Sequence, residues 1–169
     1  MKMFVLAFIP LLAMMAGCKT SYDWKSDVPK SLRTVSVPNF RNESDVTEMG
    51  VIVAQQILRE FQREGTFKIA GHDDAAIEVQ GIVKSASSKY GGGDRRIGER
   101  IYENSFTMKA EVSVIDRRSG RVLIDNRTYS ATTSFVGGMD LLTDKRNASG
   151  HLAEDLASQV VDDVLSVQM

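Results

Sequence analysis

The sequence predicts an α+β domain, a two-layer sandwich in which a mixed sheet of about four strands carries two helices on one face, in the order β-α-β-β-β-α. Three observations predict it. Apolar residues recur every three to four positions from Met49 to Phe61 and again from Leu152 to Leu165, the period of half-buried helices. Between those stretches, apolar and polar residues alternate, the period of strands with one buried face. Glycine-bearing segments separate the alternating runs and mark where the chain turns.

Taken in order, Arg33 to Phe40 holds Val35 and Val37 at period two and reads as a strand that ends near Pro38, which has no amide hydrogen for a ladder. A helix follows. Asp45 and Glu48 have the spacing of a capping box, and Met49, Val53, Ile57 and Phe61 form its buried row, widened by Ile52 and Leu58. Glu64-Gly65 ends it, because glycine accepts the left-handed backbone of a helix terminus. Phe67 and Ile69 open a further extended stretch, and Ala75, Ile77, Val79, Gly81 and Val83 alternate over a longer strand. Tyr90 to Gly98 is a loop, since three consecutive glycines lose too much entropy inside an element. Phe106, Met108, Ala110, Val112 and Val114 then alternate with Thr107, Lys109, Glu111 and Ser113, the clearest strand pattern in the chain. Asp116 to Gly120 makes a tight connection with Gly120 at a positive φ, and Arg121 to Thr133 returns as the partner strand. Phe135 to Ser149 is expected to be irregular. The closing helix has one row of Leu152, Leu156, Val160 and Val164, an adjacent row of Ala153, Ala157, Val161 and Leu165, and an acidic outer face.

The first residues set the compartment. Lys2 is followed by an apolar stretch from Met3 to Met15, shorter than the roughly 20 residues that cross a bilayer, so it reads as a signal sequence. It ends in Met15-Ala16-Gly17-Cys18, the small residues before a cysteine that a lipobox requires. Cys18 is the only cysteine, so no intrachain disulfide forms, and acylation gives an exported thiol its purpose. Several acyl chains at about 0.8 kcal/mol per buried methylene anchor stably where one chain is marginal. The expected division is a lipoprotein signal peptide over residues 1–17, a lipidated tether over 18–32 and a single domain over 33–169. Lys19, instead of an aspartate, after the cysteine points to the outer membrane, with the domain on the periplasmic side.

Charge excludes one class of partner. With 21 basic and 22 acidic residues the net charge is −1, so no global nucleic-acid footprint exists. Catalytic, cofactor and metal sites are not expected: His72 and His151 are isolated, the acidic pairs Asp73-Asp74, Glu154-Asp155 and Asp162-Asp163 read as solvated faces, and Gly91-Gly92-Gly93 lacks the lysine of a phosphate loop. The remaining candidate is basic. Lys84, Lys89, Arg95, Arg96 and Arg100 precede the middle strand, Lys109 lies on its polar face, and Arg117, Arg118 and Arg121 crowd the next turn. Guanidinium forks pair bidentately with phosphate, so the group suits an anionic glycolipid headgroup. A plain solvated surface balanced by Glu99, Glu103, Glu111 and Asp116 stays open beside that reading.

Several segments, in order and spacing, resemble the lipopolysaccharide-assembly lipoprotein family, LptE. They are Cys18 with Tyr22, the run from Val28-Pro29-Lys30 through Val35-Ser36-Val37-Pro38-Asn39-Phe40 to Ser44, and the Gly-ended helix. Val114-Ile115-Asp116 before Arg117-Arg118-Ser119-Gly120-Arg121-Val122, and the acidic last helix, complete the set, which covers nearly the whole mature chain. The resemblance implies an acyl anchor in the inner leaflet of the outer membrane and a domain that plugs the β-barrel partner LptD. It implies help in assembling that barrel and in moving lipopolysaccharide, which family members bind through basic side chains. Lys109, Arg117, Arg118 and Arg121 are the candidates here, chosen for their chemistry. Met15 in the lipobox and the Gly91–Gly93 insertion depart from the family pattern. The competing class is an adaptor or activator lipoprotein serving a cell-wall synthase or a secretion pore, which also begins with a valine-rich strand and a similar helix.

Overall fold

A computed structural model describes residues 30–90, 103–136 and 141–167. The signal peptide, Cys18, the tether up to residue 29, and the glycine loop with Arg95, Arg96 and Arg100 lie outside the described residues. The described residues begin with a short 3-10 turn at Lys30–Leu32 that already buries Leu32, so the last residue of the expected tether packs on the domain. It continues as β1 (Thr34–Ser36), β2 (Arg41–Asn42), α1 (Met49–Glu64), β3 (Lys68–Ile69), β4 (Ile77–Tyr90), β5 (Glu103–Asp116), β6 (Val122–Val136) and α2 (Leu141–Ser166).

The α+β architecture and the mixed sheet agree with expectation, but the sheet has six strands, not four. Its order is β3-β1-β4-β5-β6, with β2 also on β4. β1 pairs in parallel with β3 and β4, and β2 in parallel with β4, whereas β4–β5 and β5–β6 are antiparallel. The strand expected over Arg33 to Phe40 forms at Thr34–Ser36 and ends before Pro38, and a further strand beyond it, Arg41–Asn42, was not expected: β1 meets β4 at Ile77 and Glu78, and β2 meets it again at Ile82 and Val83. The turn at Gly71–Asp74, where Ala75 N–H donates to the Gly71 carbonyl, detaches β3 from β4.

Both helix starts also differ from the sequence reading. Asp45 does not cap α1. Glu48 occupies the N-cap position with φ 63° and no side-chain cap, while Asn42 organises the approach: its Oδ1 accepts from Ser44 N–H at 3.0 Å and its Nδ2 donates to the Val46 carbonyl at 2.8 Å. The last helix begins at Leu141, inside the stretch expected to be irregular, because the buried row continues back through Ala148 and Ser149. Gly150 is carried in the helix interior, a local penalty of about 1 kcal/mol relative to alanine that packing overrides.

The core matches the periodic rows. Met49, Val53, Ile57 and Phe61 on α1 face Leu152, Leu156, Val160 and Val164 on α2, all of them fully buried. Phe61 meets Phe67 edge-on, centroids 5.2 Å apart. Gly65 closes α1 at φ 78°, its N–H donating to the Phe61 carbonyl. On the sheet side, Phe106, Met108, Ala110, Val112 and Val114 seal the same layer. A clasp pins α2 to β6, the outer strand: the Tyr129 hydroxyl donates to Asp163 Oδ2 at 2.7 Å, Arg127 pairs with the same oxygen at 3.0 Å, and Gln159 Nε2 donates to the Ser130 carbonyl. Burial, then the neighbouring Asp163 carboxylate, push the Tyr129 phenol well above its ordinary pKa.

Candidate functional site

Because both helices use one face of the sheet, the other face of β4, β5 and β6 is left mostly to polar side chains, with Ile82 and Ile115 among them. Register sets them in rows: Ser85, Lys109 and Ser130 lie side by side, and Ser87, Thr107 and Thr132 form the next row. The Thr107 and Thr132 hydroxyls hydrogen-bond at 2.9 Å. Lys109 is exposed at the centre of this field, with no hydrogen bond or ion pair among the described residues.

The turn between β5 and β6 is organised by Asp116. Its Oδ1 accepts from Arg118 N–H at 2.9 Å and its Oδ2 from the Ser119 hydroxyl at 2.6 Å, with Gly120 at φ 70° as its sequence suggests. The Ser119 hydrogen bond first, then the Arg118 and Ser119 amides and the charge of Arg121, outweigh burial and hold the Asp116 carboxyl below its usual pKa. The arginines of this turn are not equivalent. Arg117 is half-buried and committed: its Nη1 lies 2.6 Å from Glu78 Oε2, and the His72 ring sits against the same nitrogen at 2.8 Å. Arg118 donates to the Ser31 carbonyl at 3.1 Å and so latches the turn to the start of the domain. Arg121 points to solvent.

The structure therefore divides the sequence candidates. Arg117, Arg118 and Arg121 share one end of the sheet, but Lys109 stands seven residues up β5 from Asp116, roughly 24 Å away at about 3.4 Å per residue. One phosphate cannot touch both places. Lys84 is a bulge residue paired with Glu43 at 2.6 Å, in a chain that continues to Arg41 on the same carboxylate. The Lys84 partner lowers the Glu43 pKa, and Glu43 raises that of Lys84. Sequence reasoning missed this trio because Lys84 is 41 residues from Glu43 and meets it only through β2–β4 pairing. Among the described residues, no group of three or more His, Cys, Asp or Glu side chains is placed to hold a metal ion. Nor is any described helix long and apolar enough to cross a membrane.

Comparison with known proteins adds identity to this geometry. The chain resembles a minor lipoprotein from Acinetobacter baumannii, with 13% identity over 80% of this chain and 92% of that one, TM-score 0.50. It also resembles the hypothetical protein CT253 from Chlamydia trachomatis, with 12% identity over 79% and 96% and a TM-score of 0.54. The PelC dodecamer subunit from Paraburkholderia phytofirmans is similar at 16% identity over 80% and 91%, TM-score 0.50. At such identities these likenesses establish the fold. No curated protein matches the sequence. A family model described as LptE, lipopolysaccharide-assembly, matches residues 32–166, from the buried Leu32 to the end of α2. The chain belongs to the LptE lipopolysaccharide-assembly family.

Proposed function

We propose that this chain is a non-enzymatic lipoprotein, cut and acylated at Cys18, that sits on the periplasmic side of the outer membrane. There it plugs and helps assemble an LptD-type β-barrel, and assists lipopolysaccharide insertion. Family membership over residues 32–166 supports the lipopolysaccharide-assembly role. The observation that carries the plug reading is the open sheet face: β4, β5 and β6 run 14, 14 and 15 residues, and the side that the helices do not need is set with serine, threonine and lysine. At about 3.4 Å per residue such strands exceed the roughly 25 Å apolar band of an outer-membrane barrel. A polar surface of that height suits a water-filled lumen.

Lipopolysaccharide contact is assigned to Lys109 on the open face and, separately, to Arg118 and Arg121 at the turn. Arg117 spends its charge on Glu78 and serves to shape the turn. The test is depletion of the lipoprotein in cells, with the folded barrel measured by its heat-modifiable mobility, alongside native purification from detergent-solubilised membranes. Loss of folded barrel and recovery of a barrel partner are expected. Unchanged barrel folding, or recovery of a cell-wall synthase in its place, would sink the plug reading. Mass spectrometry of the mature N-terminus checks the anchor, which must begin at an acylated Cys18.

A further inference from the structure

A trough of about 410 Å³ lies on the open face where the β1–β2 link crosses β4, and its volume falls within the roughly 300–1,000 Å³ typical of small-molecule sites. Pro38 and Asn39 form one wall, Gln80 and Ile82 the floor, and Glu111 and Asn126 the far side. Two features hold that shape. Phe40 is buried beneath the link and rests on Gly81, where a Cβ would come within 2.4 Å of the ring, so the wall is pinned to the core. Opposite, a bulge in β6 holds Asn126 at φ 40°, and its Oδ1 accepts from Ser113 Oγ at 3.2 Å, which aims the amide over the open face.

Two of the polar side chains that this frame presents are unused. Asn39 and Gln80 have exposed side chains with no hydrogen-bond partner among the described residues. Glu111 makes no contact ion pair, though its charge is felt by Lys84. Amides both donate and accept, and a carboxylate accepts from adjacent hydroxyls, while Pro38 and Ile82 offer apolar contact. Charge decides against an anion. Arg41 and Lys84 are both held by Glu43, Glu111 adds a second carboxylate, and Asp125 stands at the rim accepting from Asn126 Nδ2. Among the described residues, Arg41 is the cation that lines the trough, and it is paired with Glu43.

We propose that this trough binds a neutral sugar residue. Its vicinal hydroxyls match the free amides and the Glu111 carboxylate, and its C–H face matches Pro38 and Ile82. The sugar belongs either to the saccharide of the glycolipid, which would deepen the transport reading, or to cell-wall glycan, and the site is the same for both.

The experiment uses the full acylated chain in detergent micelles and follows the side-chain amide resonances of Asn39, Gln80 and Asn126 by NMR. One arm titrates delipidated lipopolysaccharide oligosaccharide and the other titrates disaccharide fragments of cell-wall glycan. Saturable shifts of these amides in either arm are expected and identify the source. The double variant Gln80→Ala, Glu111→Ala should weaken that binding about tenfold, the loss of one or two hydrogen bonds to a charged group, with the backbone spectrum otherwise unchanged. Should that variant unfold, Asn39→Ala in the exposed link replaces it, with severalfold weakening expected. The proposal is overturned by the absence of saturable shifts in both arms, by variant binding equal to the parent, or by inorganic phosphate binding the same amides more tightly. None of these results bears on barrel recovery, so this site and the plug reading fail separately.

Discussion

On β5, Phe106, Met108, Ala110, Val112 and Val114 are sealed beneath the helices, whereas Thr107, Lys109, Glu111 and Ser113, each one position away, lie on the open face. The two sets share backbone, register and neighbours, so what separates them is contact with water alone. Residues on the sealed side are constrained by volume. Residues on the open side are tied only by surface hydrogen bonds, Thr107 to Thr132 and Ser113 to Asn126, and a polar face of this length that contributes little to folding is available for recognition.

The strongest test of that contrast is Phe61→Ala. Phe61 is fully buried against Phe67, and its truncation should lower unfolding stability by about 3–5 kcal/mol, read by urea denaturation. A loss under about 1 kcal/mol would mean that the sealed layer is loosely packed. Gly81→Ala comes next, because the added methyl meets both the Phe40 ring and the Glu111 carbonyl, the latter at 2.7 Å. Overpacking of this kind should remove about 1–3 kcal/mol, and an unchanged denaturation midpoint would show that Phe40 is not fixed there.

Arg117→Ala probes where the open face stops being free. It leaves Glu78 largely buried beside His72 without its guanidinium, and about 1–2 kcal/mol of lost stability is expected by the same measurement. Arg121→Ala should lose less than about 0.5 kcal/mol, and equal effects at the two positions would refute the division drawn within the turn. Asp116 adds a pH dependence with a definite sign. Its carboxyl pKa is lowered in the folded state, so its contribution is present above the ordinary value near 3.8 and is lost as pH falls below it. Ser119→Ala removes the largest cause, so it should lower stability near neutral pH and flatten the acid limb of the stability curve, variant and parent converging as the pH falls; stability equal to the parent's near neutral pH would rule this out. Smallest for folding is Lys109→Ala, within about 0.5 kcal/mol of the parent. Under the proposed role, lipopolysaccharide binding by this variant should weaken severalfold, and intact binding would leave Lys109 a solubility residue.

How much of this was legible from residues follows the same line between local and distant causes. The rows of α1 and α2, the alternation of β5, and the glycines at 65 and 120 are local signals, and each appears where its period or backbone need places it. The return of the chain to the sheet as β2, by contrast, follows Phe40 seating on Gly81, a partner 41 positions away. The early start of α2 was hidden because Gly150 and Asn147 look like loop residues until the α1 surface that buries Ala148 is in place. The basic residues were visible as a composition but not as a geometry. Seven residues of extended strand set Lys109 apart from the turn, and one carboxylate, Glu78, takes Arg117 out of use. Asn39, Gln80 and Asn126 gave no signal at all, since three scattered amides acquire meaning only when β1, β4 and β6 are aligned.

The bulge in β6 and the reach of Gln159 to the Ser130 carbonyl have a further consequence for life at high concentration. An outer strand of 15 residues is an open template for another chain, and uninterrupted edges of that length promote self-association. Here the edge is broken twice: the kink at Asn126 spoils the spacing a newcomer would need, and an α2 side chain already occupies one of its acceptors. The strand that borders the polar face thus carries two obstacles to edge-to-edge pairing along its own length.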